Sequence, residues 1–459
     1  MELLLTVSKD RPGTLSAQIE GQFRSAIRDG SLRPGTPIPS TRDLSGELGV
    51  SRKIVVDAYA QLAAEGYLET RQGAQPRVAS LPIAAKATAP AAGSERADRF
   101  DFHPARPDVS SFPRTAWSRC LRDAVTDITV VDLAYGDPFG MAELRDGLAD
   151  YLGRVRGVVA DRGRVVVTNG YLQGLGIVCH TLAARGARRI ALEDPSSSEA
   201  GLIAARAGLE PVRVPVDGLG LRVDLLDGAG VDAVVLTPAH QHPTGVVLAP
   251  ERRAALVAWL RDRDAIAVED DYDAEYRYDR PAVGALQGLD HHHVVYAGTA
   301  SKVLAPALRL GWLVVPPSLV DRVRHEKQLS DQGTARIEQL AFARFLARGD
   351  LDRHLRRMRI RYRDRRDAVT QALAAELPEA VIRGIAAGLH VTAELPATDD
   401  EMAIQRAAAE RGVGIATMSD YGTSGGHPPT LILGYSQMSE SRIRSGIREL
   451  ASAVRASRR

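Results

Sequence analysis

The sequence predicts two folded units of different class. A small α+β winged helix-turn-helix stands at the N-terminus, and a large α/β domain on a mostly parallel sheet follows. Three observations carry this reading. Between residues 40 and 78, two short helical stretches flank a Gly-Val turn and run into a hairpin pattern. From about Phe100 onward, short β-branched apolar runs alternate with amphipathic helical stretches, the pattern of a parallel sheet covered by helices. Between the two lies an Ala-rich segment with Pro82 and Pro90 and no sustained apolar period, which reads as a flexible spacer. The chain accordingly divides into residues 1–79, a linker over 80–99, and 100–459.

Composition bounds the function. Of the 459 residues 44% are hydrophobic, ample for a substantial core. A net charge of +2 excludes a molecule that is polybasic as a whole, so any nucleic-acid contact must come from a local patch. Cys120 and Cys179 have neither metal-ligand spacing nor a disulfide framework, which fits a reducing, cytoplasmic setting. No apolar run approaches the ~18 residues that span a bilayer. The first residues lack the basic n-region and small-residue cleavage site of a signal peptide.

In the small unit, Leu15 to Arg28 carries a helical apolar stripe that Gly30 and Pro34-Gly35 end. Ser40 is placed to cap a short helix through Leu48. Gly49-Val50 makes the turn, and Ser51 is placed to cap a second helix to about Glu65. Two short helices about a glycine turn are the helix-turn-helix signature. The second opens with Ser51, Arg52 and Lys53, where a recognition helix meets bases and phosphates. Tyr67 to Gly73 and Pro76-Arg77-Val78 read as the hairpin of a wing. Residues 1–80 hold ten Lys/Arg against nine Asp/Glu, so the basic patch is one of geometry rather than composition. One such module binds modestly, which favours a dimer reading two half-sites.

In the large unit the chemistry-bearing residues follow strands. Lys302 comes after Thr299-Ala300-Ser301 in a loop behind the apolar run Val294–Ala297, with Arg309 seven residues on. This suits a covalently held aldehyde cofactor with a phosphate tail. A desolvated lysine amine is nucleophilic and forms Schiff bases, while Ser301 and Arg309 offer donors to a phosphate. Thr168-Asn169-Gly170-Tyr171 links a strand to a helix, and a helix N-terminus with glycine for close approach is a phosphate cradle. Asp270 and Tyr272 follow another strand and point the same way. A carboxylate there keeps a pyridinium nitrogen protonated, and a phenol two residues on reaches a ring hydroxyl. His291 to His293 read as a polar loop, since consecutive residues do not converge on one ion. Eight arginines between Arg353 and Arg366 read as a solvated helix face, with a DNA-backbone contact as the alternative.

Residues 35–68 match the pattern GxxxPSxRxLxxxLGVSRxxVxxAYxxLxxEGYL almost throughout, and here the chain resembles the GntR family of winged-helix repressors. That resemblance implies operator-DNA contacts from Arg42, Ser51, Arg52, Lys53 and the wing tip, Arg71 to Gly73. Residues 100–455 resemble fold-type-I aminotransferases, with Tyr135-Gly136, the Thr168–Gln173 cradle, Pro243-Thr244-Gly245, Asp270/Tyr272 and Ser301-Lys302…Arg309 in order. The resemblance implies pyridoxal 5′-phosphate on Lys302, Asp270 at the ring nitrogen and Tyr272 at the ring oxygen. It places the phosphate on Gly170, Tyr171, Ser301 and Arg309. It also has Tyr135 reach the phosphate held by a partner subunit, which implies a homodimer. A GntR head on an aminotransferase-like body resembles the MocR subfamily of bacterial regulators, as do "EDDYDAEYRY" and "TPAHQHPTG". In the latter His242 stands where free aminotransferases usually have Asn.

Two positions depart from the aminotransferase pattern. Ser197 occupies the place of the tyrosine that stacks on the cofactor ring. Ile432 fills the slot of the arginine that grips a substrate carboxylate, and without that fork bidentate recognition loses its donor. The expectation is a transcription regulator with little or no transamination, whose effector is pyridoxal phosphate itself, as a measure of vitamin B6 supply, or an amine or amino acid. The alternative is an active aminotransferase with an accessory DNA-binding head.

Overall fold

Thr14 opens the first helix, α1 (Leu15–Arg28), by accepting the Ala17 amide on its hydroxyl, which satisfies one of the donors a helix start leaves unpaired. Ile19, Phe23 and Ile27, four residues apart, form its buried stripe. Ser40 starts α2 (Thr41–Leu48), its Oγ accepting the Asp43 amide at 3.2 Å. Gly49 ends that helix at φ 63°, a left-handed conformation that a Cβ would strain. In α3 (Arg52–Ala64) the residue ahead of the helix is Ser51, as predicted, yet its side chain makes no capping bond and the residue is exposed. Phe23 packs edge-on against Tyr59 with centroids 5.6 Å apart, and the Tyr59 hydroxyl donates to the Pro39 carbonyl, tying α3 to the approach to α2. The wing is the antiparallel pair β1 (Leu68–Glu69) and β2 (Arg77–Val78), with Leu68 opposite Val78.

This is a computed structural model, and it describes residues 5–71, 74–80, 98–278, 283–422 and 426–458. Gly73 at the wing tip and nearly all of the predicted linker, residues 81–97, lie outside the described residues. The chain splits into two units, Met1–Arg96 and Ala97–Arg459.

The second unit opens with β3 (Phe100–Asp101), which pairs with β14 (Val413–Gly414). Its main sheet has eight strands: β4 (Val165–Thr168), β5 (Arg189–Asp194), β6 (Glu210–Asp217), β7 (Gly220–Leu221), β8 (Ala233–Leu236), β9 (Ile266–Asp271), β10 (Val294–Thr299) and β11 (Gly311–Val314). The order is β4-β11-β10-β9-β8-β5-β6-β7. The ladders joining β10, β9, β8, β5 and β6 are parallel, while β11 runs antiparallel to both its neighbours. The apolar runs Arg164–Thr168, Arg189–Leu192, Ala233–Leu236, Ala265–Glu269 and Val294–Ala297, each of which reads as a strand in the sequence, are all strands here, and three run on by two residues, to Asp194, Asp271 and Thr299. Alternate residues feed two cores, Ile190, Val235 and Val268 to one face and Ala191, Val234 and Ala267 to the other. That is the signature of a sheet covered on both sides. A four-stranded antiparallel sheet, ordered β12 (Val381–Arg383), β13 (His390–Glu394), β16 (Thr430–Gly434), β15 (Ala416–Thr417), completes the unit.

The arginine-rich segment lies on the helix Asp350–Glu376, and six of its eight arginines are exposed, as expected of a solvated face. Arg359 donates to the Glu275 carbonyl, Arg365 to the Ser436 carbonyl and Asp108, and Arg353 to Asp350. Arg359 and Arg365 also tie this helix to neighbouring segments, while Arg353 pairs within it. Among the described residues no helix is long and apolar enough to cross a membrane.

Candidate functional site

Because β4, β5, β8, β9 and β10 share one direction, their carboxyl ends meet along one edge, where ligands gather in α/β sheets. A cavity of about 460 Å³ opens there, lined by Tyr171, Glu193, Thr237, His242, Asp270, Tyr272, Ser301, Lys302 and Arg309 among others. Seven of the nine residues that the sequence nominated for a cofactor lie on its wall.

Lys302 does not sit in a loop as predicted but in a single helical turn, Ala300–Val303, which Thr299 opens by accepting the Ser301 amide at 3.1 Å. Its Nζ donates to the Ala105 carbonyl at 2.6 Å. Burial depresses the lysine pKa, partly offset by the charges of Asp270 and Asp273. A larger share of neutral amine follows, which is what nucleophilic attack requires.

Asp270 is pushed up to about 8, first by burial and then by the neighbouring Asp271 charge, with Lys302 pulling the other way. Such a carboxyl holds a proton until a cationic partner arrives, and a pyridinium nitrogen is a partner of that kind. Tyr171 lines the same wall. Its phenol lies against the Asp270 carboxyl and is pushed far above the usual range, by burial before all else. The ring thus faces the Asp270 end of the pocket, and the Tyr171 backbone stands at the start of the helix Tyr171–Ala184.

Two glycines and an arginine pack together at the start of the helix Tyr171–Ala184. Gly170 has φ 84°, and a Cβ there would stand 2.8 Å from the Arg309 guanidinium. A Cβ on Gly311 would meet the Gly170 backbone at 2.9 Å. The Arg309 guanidinium donates to the Asn169 carbonyl at 2.6 Å. The helix Tyr171–Ala184 begins at Gly170 without a capping side chain, so its amides remain open to an anion.

His242 is half-buried, and its solvent-shielded Nδ1 has no hydrogen-bond partner among the described residues. Burial, then the nearby His390 and His240, hold its pKa well below the usual range, so the ring is neutral. It meets Tyr272 edge-on at 5.7 Å and Tyr421 at 5.0 Å. Behind it, His240 Nδ1 contacts Asp273 at 3.0 Å and the Tyr272 hydroxyl at 3.1 Å, which fixes the phenol's direction. Glu193, pushed up to about 7 by burial, accepts the Thr237 amide and hydroxyl. Ser197 lines the cavity where an aromatic was missed, and starts the helix Ser198–Arg206. Tyr421, 224 positions later in the chain, supplies a ring on the wall instead. Neither Tyr421, Ala105 nor His390 was singled out from the sequence, because no local pattern marks a residue that reaches the site from a distant segment.

Ile432 lies mid-strand in β16, fully buried with Ala416 and Met418, and off the cavity wall. Tyr135 is also off the wall and 89% exposed. In the first unit Arg42, Ser51, Arg52, Lys53 and Arg71 are all exposed. Arg52 Nε donates to Thr41 Oγ1 at 3.3 Å, which sets the start of α3 beside the start of α2, next to Arg42. The His291–His293 run does not converge on one point, and His293 Nδ1 instead contacts Asp290.

The donor set fits a pyridine ring that carries an aldehyde and a phosphate. A shielded amine, a proton-holding carboxyl, a directed phenol, an unpartnered imidazole nitrogen and an arginine-backed cradle all face one cavity. The family models agree. "Aminotransferase class I and II" matches residues 118–450, and "Bacterial regulatory proteins, gntR family" matches residues 15–78. The chain is 32% identical to the HTH-type pyridoxine biosynthesis transcriptional regulator PdxR of Corynebacterium glutamicum, over 99% of each chain. It is 32% identical to the probable rhizopine catabolism regulatory protein MocR of Rhizobium meliloti, over 98% of this chain and 96% of that one. It superimposes with a TM-score of 0.70 on LysN, the α-aminoadipate aminotransferase of Thermus thermophilus, solved with N-(5′-phosphopyridoxyl)-L-leucine, at 26% identity over 78% of this chain and 92% of that one. Pyridoxal 5′-phosphate is the cofactor that a domain of this family and this donor set is built for. The chain belongs to the MocR-type transcription regulators, in which a gntR-family DNA-binding head precedes a pyridoxal phosphate-dependent aminotransferase class I and II domain.

Proposed function

We propose that this regulator reads the supply of pyridoxal phosphate, and that the cofactor held at Lys302 is its signal rather than a tool for turnover. The observation that carries this reading is a contrast in donors. The groups suited to the cofactor are complete, whereas the position suited to a substrate carboxylate is Ile432, buried in β16. Arg309 is the one guanidinium on the described cavity wall, and it stands at the phosphate end. Without a second fork, an amino-acid carboxylate lacks a bidentate partner. The printed name of the Corynebacterium glutamicum relative, a pyridoxine biosynthesis regulator, supports the same direction.

In this reading Asp270 pairs with the ring nitrogen, and Tyr272 and His242 flank the ring oxygen. Gly170, the Tyr171 backbone, Ser301 and Arg309 take the phosphate. Tyr135, exposed and beside the exposed Val130, Val131 and Leu133, reaches into a second subunit of a homodimer. Arg42, Ser51, Arg52, Lys53 and the wing from Arg71 to Gly73 contact operator DNA in the cytoplasm, and residues 80–99 connect the two units. The ligand must favour one arrangement of the paired heads over another, since only differential binding shifts such an equilibrium.

A second reading, an active aminotransferase with an accessory head, is favoured by the intact set of Lys302, Asp270 and Tyr272. One experiment separates them. Full-length protein is titrated onto its own upstream DNA, with and without pyridoxal phosphate, and assayed with amino donors and keto acids. A cofactor-dependent change in DNA affinity without turnover supports the regulator reading. Turnover with no effect of the cofactor on DNA affinity overturns it.

A further inference from the structure

A second cavity, of about 660 Å³, shares no residue with the cofactor pocket. One wall is a face of the helix Asp350–Glu376 and carries His354, Arg357, Met358 and Arg361. Their spacing of three and four places all four on one stripe. The other wall is the start of the helix Arg114–Asp127, whose preceding residue, Pro113, offers no capping side chain. The Arg114 amide is used, donating to the Phe112 carbonyl at 2.8 Å, and the Trp117 amide donates to the Pro113 carbonyl at 2.9 Å. The amides of Thr115 and Ala116 have no acceptor among the described residues, and both residues line the cavity.

The charge here is only partly compensated. Arg361 contacts the Ser111 hydroxyl and stands 3.7 Å from Asp108, which Arg365 also shares at 3.0 Å. Arg114 and Arg357 form no ion pair among the described residues, and no carboxylate lines the cavity. His354, 3% exposed, is the buried polar group of this wall. Its Nδ1 has no hydrogen-bond partner among the described residues, while the ring faces the carbonyl of Val303, the residue after Lys302. Burial, then the Arg357 charge, push its pKa down to about 4, so the ring is neutral and Nδ1 has a lone pair to offer a hydroxyl donor.

We infer that this cavity is a second anion site, which takes a small phosphate-type oxyanion between Arg114, Arg357 and Arg361. Guanidinium forks match the geometry of a tetrahedral oxyanion. The Thr115 and Ala116 amides, at the positive end of a 14-residue helix, add two oriented donors. His354 Nδ1 accepts the proton of a P–OH group, a bond that a fully ionised carboxylate does not offer. Inorganic phosphate and a phosphate monoester share this chemistry. Through His354 and the Val303 carbonyl, the anion bears on the turn that presents Lys302.

The test is calorimetric titration of the full-length protein, saturated with pyridoxal phosphate so that the Arg309 cradle is filled, in a phosphate-free buffer of low salt. Inorganic phosphate and glycerol 3-phosphate are the probes. The wild type is expected to bind one anion per chain. The pair Arg114→Gln and Arg357→Gln, both at exposed positions, is expected to weaken that binding at least tenfold with unchanged melting temperature and cofactor content. Arg309→Ala is expected to leave it intact. Tighter binding of glycerol 3-phosphate assigns the site to a monoester, and tighter binding of inorganic phosphate assigns it to the free ion. No binding by the wild type, equal binding by the double variant, or binding that vanishes only in Arg309→Ala overturns the inference.

Discussion

Lys302 Nζ donates to the carbonyl of Ala105, 197 residues earlier in the chain. The bond holds the amine at the centre of the pocket, against the opening segment of the large unit, and it must break when the amine reacts. Lys302 is depressed by burial and held up in part by Asp270 and Asp273. Lysine loses its proton as pH rises, so covalent loading should accelerate with pH and level off below ~10.4, the ordinary lysine value. Asp270→Asn should move that plateau to still lower pH by removing a charge that favours the ammonium. Stopped-flow absorbance on mixing with pyridoxal phosphate reads both.

The unloaded pocket should make stability depend on pH. Asp270 is raised to about 8 and Glu193 to about 7, in each case chiefly by burial. The unfolded chain releases these protons near pH ~4 while the folded one keeps them. The folded state therefore binds more protons between about pH 4 and 8, and stability falls as pH rises through that window. The melting temperature of cofactor-free protein should drop from pH 5.5 to 8.5, and Asp270→Asn should flatten the slope. A melting temperature that rises over this range counts against the burial of these carboxyls.

Below the pocket, Arg156 Nε and the Tyr296 hydroxyl both donate to Asp271 Oδ2 at 2.7 Å, all three side chains buried. Removing one partner of a buried pair leaves a charge without compensation and costs about 3–5 kcal/mol. Arg156→Met should lower urea-unfolding stability by that order. Replacing Arg156 and Asp271 together by apolar residues should cost less than the single change.

For the head, Arg52→Ala should weaken binding to the operator and reduce the slope of log affinity against log salt by about 1 if its contact is to a phosphate. If Arg52 reads a base, the loss should instead be confined to one operator position, at about 1–3 kcal/mol. Fluorescence anisotropy across a salt series, on wild-type and base-substituted duplexes, distinguishes the two. An unchanged affinity on every duplex removes Arg52 from the interface.

Much of this arrangement is legible in the chain because it rests on local rules. The stripe of Ile19, Phe23 and Ile27 gives α1 its limits, Ser40 and Gly49 bracket α2, and runs such as Ala233–Leu236 give the parallel strands. Gly170, Asp270 and Lys302 stand out in the sequence because each follows such a run. What escaped depends on contacts between distant segments. Four apolar residues at Gly311–Val314 do not encode that β11 runs antiparallel. The Tyr171 phenol turns to Asp270 only once β4 and β9 share a sheet. Arg359 and Arg365 look like solvated charges until the Glu275 and Ser436 carbonyls arrive opposite them.

The most direct measurement is borohydride reduction of full-length protein loaded with pyridoxal phosphate, followed by peptide mapping by mass spectrometry. A single phosphopyridoxyl mark is expected, on the peptide that contains Lys302, with none in Lys302→Ala. A mark on another lysine, or no mark after loading, contradicts it.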